Sequence, residues 1–268
     1  MRILFLGDVV GNSGCSKISE NLLDEIKKNE IDFVIVNGEN AADEGVGLTK
    51  EICENFFESG VNVITTGNHV WDKKDIMKFI DNENRLLRPK NLFEPAPGKG
   101  FQVYNTPKNI RVGVLNLMGN IFMKKCDDVF EASKKFTEKY KLKDDYDLLV
   151  VDFHGEITSE KNAIGHFFDG KATLVVGTHT HVPTNDCRIL VNGTAYQTDA
   201  GMCGDYNSVI GMNKEISLNR FLKKTTDKNF PSNGNVSLSG VIVDADDNSG
   251  LANRAESFIF NGEYNVGI

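Results

Sequence analysis

The chain has 268 residues, 40% of them hydrophobic, and is long enough to bury a sizeable core in one large α/β domain or two small ones. Its 30 Lys and Arg residues against 38 Asp and Glu residues give a formal net charge of -8, which argues against a protein that grips a long nucleic acid. A small phosphorylated substrate is compatible with this charge, provided that a metal or local dipoles supply positive charge.

The cysteines and the N-terminus indicate the compartment. Five cysteines without a Cys-x-x-Cys pair indicate neither a disulfide framework nor a zinc knuckle, and they fit a reducing environment. The chain begins with a strand-like pattern in place of a basic leader, and no segment approaches the run of about 18 apolar residues that spans a bilayer. We therefore expect a cytoplasmic protein without a membrane segment.

Short apolar, β-branched runs alternate with helical periodicity through the first two thirds of the chain. Such runs without polar alternation are typical of strands that are buried on both faces. The spacing of Ile18, Leu22 and Ile26 predicts an amphipathic helix, and Thr49 is placed to cap a second helix around Phe56. The pattern therefore predicts a layered βα core. Its strands are expected at 2–6, 31–36, 61–65, 110–117, 147–153 and 172–176.

The pattern changes in the C-terminal third. Two runs flank Asn192-Gly193, a type I′ hairpin signal, and residues 236–244 with 256–260 predict further antiparallel strands. We expect these strands to extend the same sheet system or to form a second sheet packed on it. Residues 72–109 are rich in turn formers and charges, and they predict an insertion over the edge or mouth of the sheet.

Eight polar side chains follow the predicted strands within a few residues. In an open α/β sheet the carboxyl edge is where ligands bind, so residues far apart in sequence can converge there. Carboxylate, carboxamide and imidazole groups make a mixed O/N donor set suited to Fe, Mn or Zn, without the thiolates of a structural zinc site. Eight groups are too many for one ion but suit two ions that share a carboxylate. The eight residues are Asp8, Glu39, Asn40, Asn68, His69, His154, His179 and His181.

Each residue taken singly also has a structural interpretation. Asp8 could cap a helix after a βα turn, and Glu39 with Asn40 could form an ordinary solvated loop. His166 falls in a predicted amphipathic helix, where packing is favoured over metal ligation. Asp152 and Glu156 flank His154, and either could orient its ring.

The motifs that contain these residues resemble a known family. "GD" at 7–8, "NGEN" at 37–40, "GNH" at 67–69, a histidine at 154 and "GTHTH" at 177–181 resemble the ordered motif series of the calcineurin-like metallophosphoesterases. More narrowly, "FLGDVVG", "VNGENAA", "TTGNHVWD" and "AYQTDAGMCGDY" resemble the bacterial YmdB family, and the similarity covers essentially the whole chain.

The resemblance implies a fold and an activity. The fold would be a four-layered α/β/β/α sandwich, with a single metallophosphoesterase domain over 1–268. The activity would be hydrolysis of small phosphodiesters of the 2′,3′-cyclic nucleotide class at a centre of two divalent or mixed-valent transition-metal ions. Iron is the metal that the family implies, with manganese or zinc as alternatives. The resemblance also implies a homo-oligomer.

The resemblance further implies roles for the eight residues. The metal ligands would form two groups that share Glu39 as the bridging carboxylate, and a hydroxide between the ions would attack in line, because metal binding lowers the pKa of water toward about 7. His69 would stand beside the ligands and either stabilise phosphate oxygens or protonate the leaving ribose oxygen. The first ligand group comprises Asp8, Glu39, Asn40 and His181, and the second comprises Glu39, Asn68, His154 and His179.

One position departs from the general superfamily pattern. Many metallophosphoesterases have Asp-x-His in the first motif, whereas this chain has Asp8-Val9-Val10, and valine cannot bind a metal. The missing imidazole needs a replacement, and Asn40, next to Glu39, is the candidate. The YmdB-like branch is expected to have this variant.

Other functions remain as alternatives to a cyclic-nucleotide phosphodiesterase. A phosphomonoesterase or nucleotidase would use the same two metals. A nucleotide-sensing regulatory protein would be expected to have broken ligands, whereas every expected ligand position is filled here. A Rossmann dinucleotide enzyme is least favoured, because "GDVVGNSG" lacks the G-x-G-x-x-G order.

Overall fold

Strands that are apolar on both faces form two sheets at the centre of the molecule, in a computed structural model that describes residues 1–93 and 95–260. The first sheet has seven strands: β1 (Arg2–Leu6), β2 (Asp8–Val9), β3 (Phe33–Asn37), β4 (Val63–Thr65), β11 (Met202–Asp205), β12 (Val236–Ala245) and β13 (Ala252–Phe260). Their order is β2-β11-β12-β1-β3-β4, with β13 paired to β12. Strands β1, β3 and β4 are parallel, so their carboxyl ends share one edge.

The second sheet has six strands and is mostly parallel. They are β5 (Phe101–Asn105), β6 (Arg111–Met118), β7 (Leu148–His154), β8 (Leu174–Thr178), β9 (Arg188–Ile189) and β10 (Ala195–Gln197). In the order β5-β6-β7-β8-β10-β9, the four central strands are parallel and the two edge strands antiparallel. The carboxyl ends of β7 and β8 therefore lie side by side.

Helices cover the outer face of each sheet. They are α1 (Gly11–Lys28), α2 (Lys50–Glu58), α3 (Val129–Lys139), α4 (Thr158–Phe168) and α5 (Lys214–Phe221), with a 3₁₀ helix at Lys74–Lys78. Buried side chains of α1 and α2 pack on one face of the first sheet, and those of α3 and α4 pack on one face of the second. A third apolar cluster, which includes Phe5 and Val150, fills the space between the sheets. The predicted α/β/β/α sandwich is confirmed.

The ends of α1 and α2 show how local sequence sets the helix limits. Thr49 caps α2 as predicted, because its Oγ1 accepts a hydrogen bond of 3.3 Å from the N–H of Ile52. Both helices end in a Schellman motif, in which the chain turns through a residue of positive φ. That residue is Gly60 in α2, with φ of 96°, but Glu30 in α1, with φ of 53°. Glutamate at this position is strained where glycine would not be.

Two sequence predictions are corrected here. Strands β9 and β10 form the predicted hairpin, but Gly193 has a positive φ and Asn192 is not among the described residues that do, so the turn is not type I′. His166 was expected to pack, and it is exposed on α4, because it lies on the face turned away from Ile164 and Phe168.

The segment 72–109 contributes to both sheets. Its residues 101–105 are the edge strand β5, and Leu86 forms an isolated bridge with Ile64 beside β4. The prediction of a single domain with an insertion at 72–109 stays a prediction. Among the helices in the two described ranges, none is long and apolar enough to cross a membrane.

Candidate metal centre

All eight predicted site residues lie at or just beyond the carboxyl ends of strands, and the two sheets contribute different members. Asp8, Glu39, Asn40, Asn68 and His69 follow strands of the first sheet, and His154, His179 and His181 come from the second. Several contacts join the two sets of residues across the sheets. His179 N–H donates to Asp8 Oδ2 (3.0 Å), His154 Nε2 lies 3.1 Å from Glu39 Oε1, and His181 Nε2 lies 3.2 Å from Asn40 Oδ1.

The tightest convergence surrounds Nε2 of His154. One potential ligand atom from each of Glu39, His154 and His179 lies within 4.8 Å of the others. Nδ1 of His179 is 3.2 Å from His154 Nε2, and Oδ1 of Asn68 is 3.0 Å from the same atom. Four donors of the O/N type therefore face one point.

A second group lies beside it and comprises Asp8, Asn40 and His181. The Asn40 amide donates to the carbonyl of Gly45 (2.8 Å), and His181 Nδ1 donates to the carbonyl of Ile210 (2.8 Å). These bonds direct Asn40 Oδ1 and His181 Nε2 toward each other. Asp8 Oδ1 is buried and, among the described residues, has no hydrogen-bond partner. His154 Nδ1 lies 3.7 Å from this oxygen, too far for a hydrogen bond. A buried carboxylate oxygen without a hydrogen bond is costly, and a bound cation would satisfy it.

The backbone at Gly67 makes room for the first group. A Cβ at Gly67 would lie 2.3 Å from His154 Nε2 and 2.4 Å from Glu39 Oε2, closer than any side chain tolerates. Glycine is therefore required for Glu39 and His154 to meet at this place. Together with the donor types and the unpartnered Asp8 oxygen, this shows that the residues present fit a divalent metal.

Burial and mutual charge shift the acid–base properties of the site. Burial by itself would lower the pKa of His154, but the carboxylates of Glu39, Asp8 and Asp152 outweigh it and raise that pKa to about 9. Burial, and to a lesser extent the positive charge of His154, lowers the pKa of His179 to about 3, so His179 is neutral near pH 7. Burial raises the pKa of Asp8 to about 6, although His181 and His154 oppose this shift.

One hydroxyl fixes the ring of His154. Thr178 Oγ1 donates to Asp152 Oδ1 (2.7 Å) and lies 2.9 Å from His154 Nδ1, so Nδ1 donates to this hydroxyl and Nε2 is the nitrogen that faces the ligand cluster. Asp152 is fully buried and also accepts from Asn37 and Thr65. Of the two acids that could orient His154, Asp152 does so through Thr178. Glu156 instead lies 3.1 Å from His179 Nε2.

His69 lies outside the ligand cluster and is held by a neighbouring acid. Its backbone N–H donates to Glu39 Oε2 (3.0 Å), and its Nδ1 is 2.7 Å from Asp72 Oδ2. Lys124 contacts the other oxygen of Asp72 at 3.2 Å. Burial opposes ionisation of Asp72, but the hydrogen bonds from His69 and Lys124 lower its pKa overall. Because Nδ1 is engaged, Nε2 is the nitrogen that His69 presents outward.

The loop with His179 and His181 is strained and anchored from below. Both histidines have positive φ, 101° and 64°, in a region that non-glycine residues rarely adopt. Asp199 Oδ2 accepts from the backbone and the hydroxyl of Thr180 between them (3.2 and 2.8 Å). Lys161 of α4 donates to the same carboxylate (2.5 Å) and to the Thr178 carbonyl (2.9 Å), and both charged side chains are 1% exposed. The ion pair thus binds the loop at two points, through Lys161 at Thr178 and through Asp199 at Thr180.

The first motif lies close to Asn40, the residue predicted to replace its missing histidine. Val10 forms a β-bridge with Asn40, and Gly11 N–H donates to the Asn40 carbonyl (2.9 Å). Gly7 is needed for a contact with Gly201. A Cβ at position 7 would lie 2.0 Å from the carbonyl oxygen of Gly201. The glycine therefore allows the chain around Gly201 to approach Asp8, whose N–H donates to that carbonyl (3.1 Å).

Sequence reasoning did not find several residues that position the site. Asp72 could have been found, because it follows His69 at a spacing of three within one turn. The others carry no local signal, since their partners come from distant parts of the chain. They are Thr178, Lys161, Asp199 and Ile210.

Comparison with known proteins gives a family for this arrangement. The sequence profile of a family described as "YmdB-like protein" matches residues 4–258. A relative from Bacillus subtilis (strain 168), named "2′,3′-cyclic-nucleotide 2′-phosphodiesterase", is 42% identical over 264 residues, which cover 98% of this chain and 98% of the relative. The predicted resemblance is confirmed.

Two solved structures are similar over nearly the whole chain. One, a protein from Mycoplasma pneumoniae described as a novel phosphatase, is 38% identical with a TM-score of 0.90 and covers 97% of this chain and 93% of its own. The other, a hypothetical protein from Thermus thermophilus, is 37% identical with a TM-score of 0.89 and covers 97% of this chain and 99% of its own. Both support the predicted fold.

Proposed function

Because the chain belongs to the YmdB-like protein family, we propose that it is a phosphodiesterase that hydrolyses small cyclic nucleotides of the 2′,3′-cyclic AMP type. The observation that carries the proposal is the convergence of Glu39, His154 and His179 beside a buried oxygen of Asp8 that, among the described residues, accepts no hydrogen bond. The name of the Bacillus subtilis relative supports the reaction and the substrate class. The chain is thus a hydrolytic enzyme.

Two metal positions that share Glu39 are proposed for the site. The contacts across the sheets support this grouping, because Asn40 faces His181 while Asn68 and His179 face His154. Bound there, two ions would supply Lewis acidity to phosphoryl oxygens and to water. Iron is the proposed native metal, with manganese or zinc as alternatives for the same O/N donors. The proposed ligands are Asp8, Glu39, Asn40 and His181 at one position and Glu39, Asn68, His154 and His179 at the other.

The chain's own hydrogen bonds keep the ligand atoms ready. The Thr178 hydroxyl keeps the proton of His154 on Nδ1, and the Ile210 carbonyl keeps the proton of His181 on Nδ1. Each ring therefore directs its Nε2 into the site, where a metal would take the place of any proton on that nitrogen. The Gly45 carbonyl does the same for Asn40 by holding its amide nitrogen, so that the amide oxygen faces the site. Little reorganisation is then needed on binding.

His69 is the proposed catalytic residue. Asp72 binds its Nδ1, which orients the ring. From this position His69 Nε2–H would donate to a phosphate oxygen in the ground state and pass its proton to the leaving ribose oxygen. The backbone bond from His69 to Glu39 ties this group to the ligand cluster.

Metal analysis of natively expressed protein, combined with turnover on a panel of cyclic nucleotides, dinucleotides and monoesters, tests this function. We expect about two transition-metal ions per chain and hydrolysis of 2′,3′-cyclic AMP. Asp8→Ala and Glu39→Gln should abolish turnover, while Asp43→Asn, a change at an exposed acid near Glu39, should not. Undiminished turnover in Glu39→Gln would contradict the proposal, and a preference for the monoester would favour a nucleotidase.

The family resemblance also supports two further proposals, a homo-oligomeric assembly and a cytoplasmic location. Sedimentation velocity of the purified protein over a range of concentrations measures the first. Fractionation of cells that express the chain measures the second. Neither result affects the assignment of the site.

A further inference from the structure

A cavity of about 380 Å³ lies between the turn after β11 and helix α5. This volume is within the range of small-molecule sites, roughly 300–1,000 Å³. Three larger clefts, of about 590, 610 and 490 Å³, lie elsewhere, and none of them is lined by any of the eight predicted site residues. The smaller cavity differs from these three because one of the residues that line it also contacts a proposed metal ligand.

That residue is Ile210. Its carbonyl accepts a hydrogen bond of 2.8 Å from His181 Nδ1, while its side chain is 53% exposed and lines the cavity. Ile210 has φ of 48° and Gly211 φ of 90°, in a turn closed by two hydrogen bonds between Val209 and Met212. A β-branched residue is strained in this conformation. The turn therefore holds the edge of the cavity at a fixed place beside the ligand cluster.

The residues of α5 that line the cavity include an exposed aromatic ring. Phe221, at the end of α5, is 79% exposed and lines the cavity. The polar groups there are few: Asn229 Nδ2 donates to Ser217 Oγ (2.7 Å), and Arg220 is the one charged residue among those that line the cavity. An apolar cavity with a few polar groups and an exposed aromatic ring is typical of a site that binds a nucleobase.

We propose that this cavity binds the nucleobase of the substrate, with Phe221 stacked on the base and Ile210 packed against its edge. The inference rests on the proposed function, which puts the phosphodiester at the ligand cluster. Ile210 links the two places, because its carbonyl bonds Nδ1 of the proposed ligand His181 while its side chain lines the cavity, and the proposal places the phosphodiester at the cluster and the base in this adjoining cavity. The occupant is then a nucleoside, and Phe221 determines the preference for nucleotides over other phosphodiesters.

The test compares wild type, Phe221→Ala and Leu222→Ala on two substrates, 2′,3′-cyclic AMP and the 2,3-cyclic phosphate of methyl ribofuranoside, which has no base. Leu222 is the matched control, because it is an exposed apolar neighbour that does not line the cavity. In Phe221→Ala the ratio of kcat/KM for the nucleotide to kcat/KM for the base-free diester should fall about tenfold, mainly through KM. In Leu222→Ala this ratio should stay at its wild-type value.

A second readout does not depend on catalysis. Ligand-observed NMR with adenosine, which has no phosphate, should detect binding to wild type and Leu222→Ala, and the signal should fall severalfold in Phe221→Ala. An unchanged substrate ratio together with an unchanged adenosine signal overturns the inference alone. A changed sedimentation coefficient in Phe221→Ala with an unchanged ratio also overturns it, since the cavity would then be a contact between copies of the chain. Failure of wild type to hydrolyse either diester overturns the proposed function instead.

Discussion

Lys161 and Asp199 form an ion pair that is almost completely buried beneath the loop with His179 and His181. Lys161 Nζ also donates to the carbonyl of Thr178, the last residue of β8, and Asp199 accepts from Thr180. The pair therefore spans the strained part of the loop. Its energetic role is to keep two residues of positive φ in place, each at a cost of about 1–3 kcal/mol.

Removal of one partner should destabilise both the protein and the metal centre. In Lys161→Met we expect the free energy of unfolding to fall by about 3 kcal/mol, because the Asp199 carboxylate stays buried without its cation. Urea unfolding measures this loss, and metal analysis should show less metal per chain. Lys135→Met, a change at an exposed lysine of α3, is the control. Equal stability of the two variants would contradict the role of the pair.

The hydroxyl between Asp152 and His154 should control metal affinity. Thr178→Val keeps the shape of the side chain but leaves His154 Nδ1–H without an acceptor, so we expect metal to bind about 10- to 100-fold more weakly. Thr178→Ser retains the hydroxyl and should bind as wild type does. Competition with a chelator of known affinity measures both values. If valine and serine gave the same affinity, the hydroxyl would have no part in orienting the ring.

His69 and Asp72 should affect turnover without affecting metal content. His69→Ala should lower kcat by about 10²- to 10⁴-fold, because the proton donor is lost while the ligands remain. Asp72→Asn should lie between wild type and His69→Ala, since the ring keeps its place but loses the adjacent charge. Asp75→Asn, in the exposed 3₁₀ helix, is the matched control. Loss of metal in His69→Ala would show instead that this ring is a ligand.

The two Schellman motifs predict opposite effects of glycine. Glu30→Gly should raise the free energy of unfolding by about 0.5 kcal/mol, because relief of roughly 1–2 kcal/mol of left-handed strain exceeds the added entropy of the unfolded chain, about 0.4–1 kcal/mol. Gly60→Ala should lower it by about 1 kcal/mol, and its Cβ would also meet Ile26 at 2.8 Å. Thermal and urea unfolding of both variants measure the difference. Changes of the same sign would refute the interpretation.

An ion pair away from the site predicts an acid-dependent loss of stability. Hydrogen bonds from Arg111 lower the pKa of Asp147 to about 2, from an ordinary value of 3.8. Its contribution is therefore fully present above about pH 4 and is lost as the pH falls from about 4 toward 2, and allowing for solvent screening we expect about 1 kcal/mol. The urea midpoint of Asp147→Asn should fall less between about pH 5 and about pH 2.5 than that of wild type. Parallel curves would contradict this.

The strands and the ligand positions were accessible from the sequence because both depend on local patterns. Apolar β-branched runs predicted the buried strands, and polar residues directly after them predicted the edge where Glu39 and His154 meet. That two sheets pack face to face between layers of helices was predicted from the resemblance to a family and not from these local patterns. The assignment of individual ligands stays a prediction, which metal analysis of the variants will test.

The rest depended on tertiary contacts that carry no local signal. Lys161 in a helix has the pattern of an ordinary surface lysine, and only the fold places Asp199 against it. His166 was expected to pack, and it is exposed instead. Helical spacing shows which residues share a face of a helix, but it does not show which face the rest of the fold covers. The positive φ of Ile210 could not be predicted from the sequence either, because β-branched residues rarely adopt this conformation in a turn.

The ligand atoms come from both sheets of the sandwich, so a bound ion would act as a cross-link between two halves, in addition to the apolar packing and the few hydrogen bonds that join them. The five cysteines are free, and the chain gains no such link from disulfides. Metal at about 1,000 times its Kd would add about 4 kcal/mol to the free energy of unfolding. Metal starvation of a cell would then lower the amount of folded protein as well as its turnover.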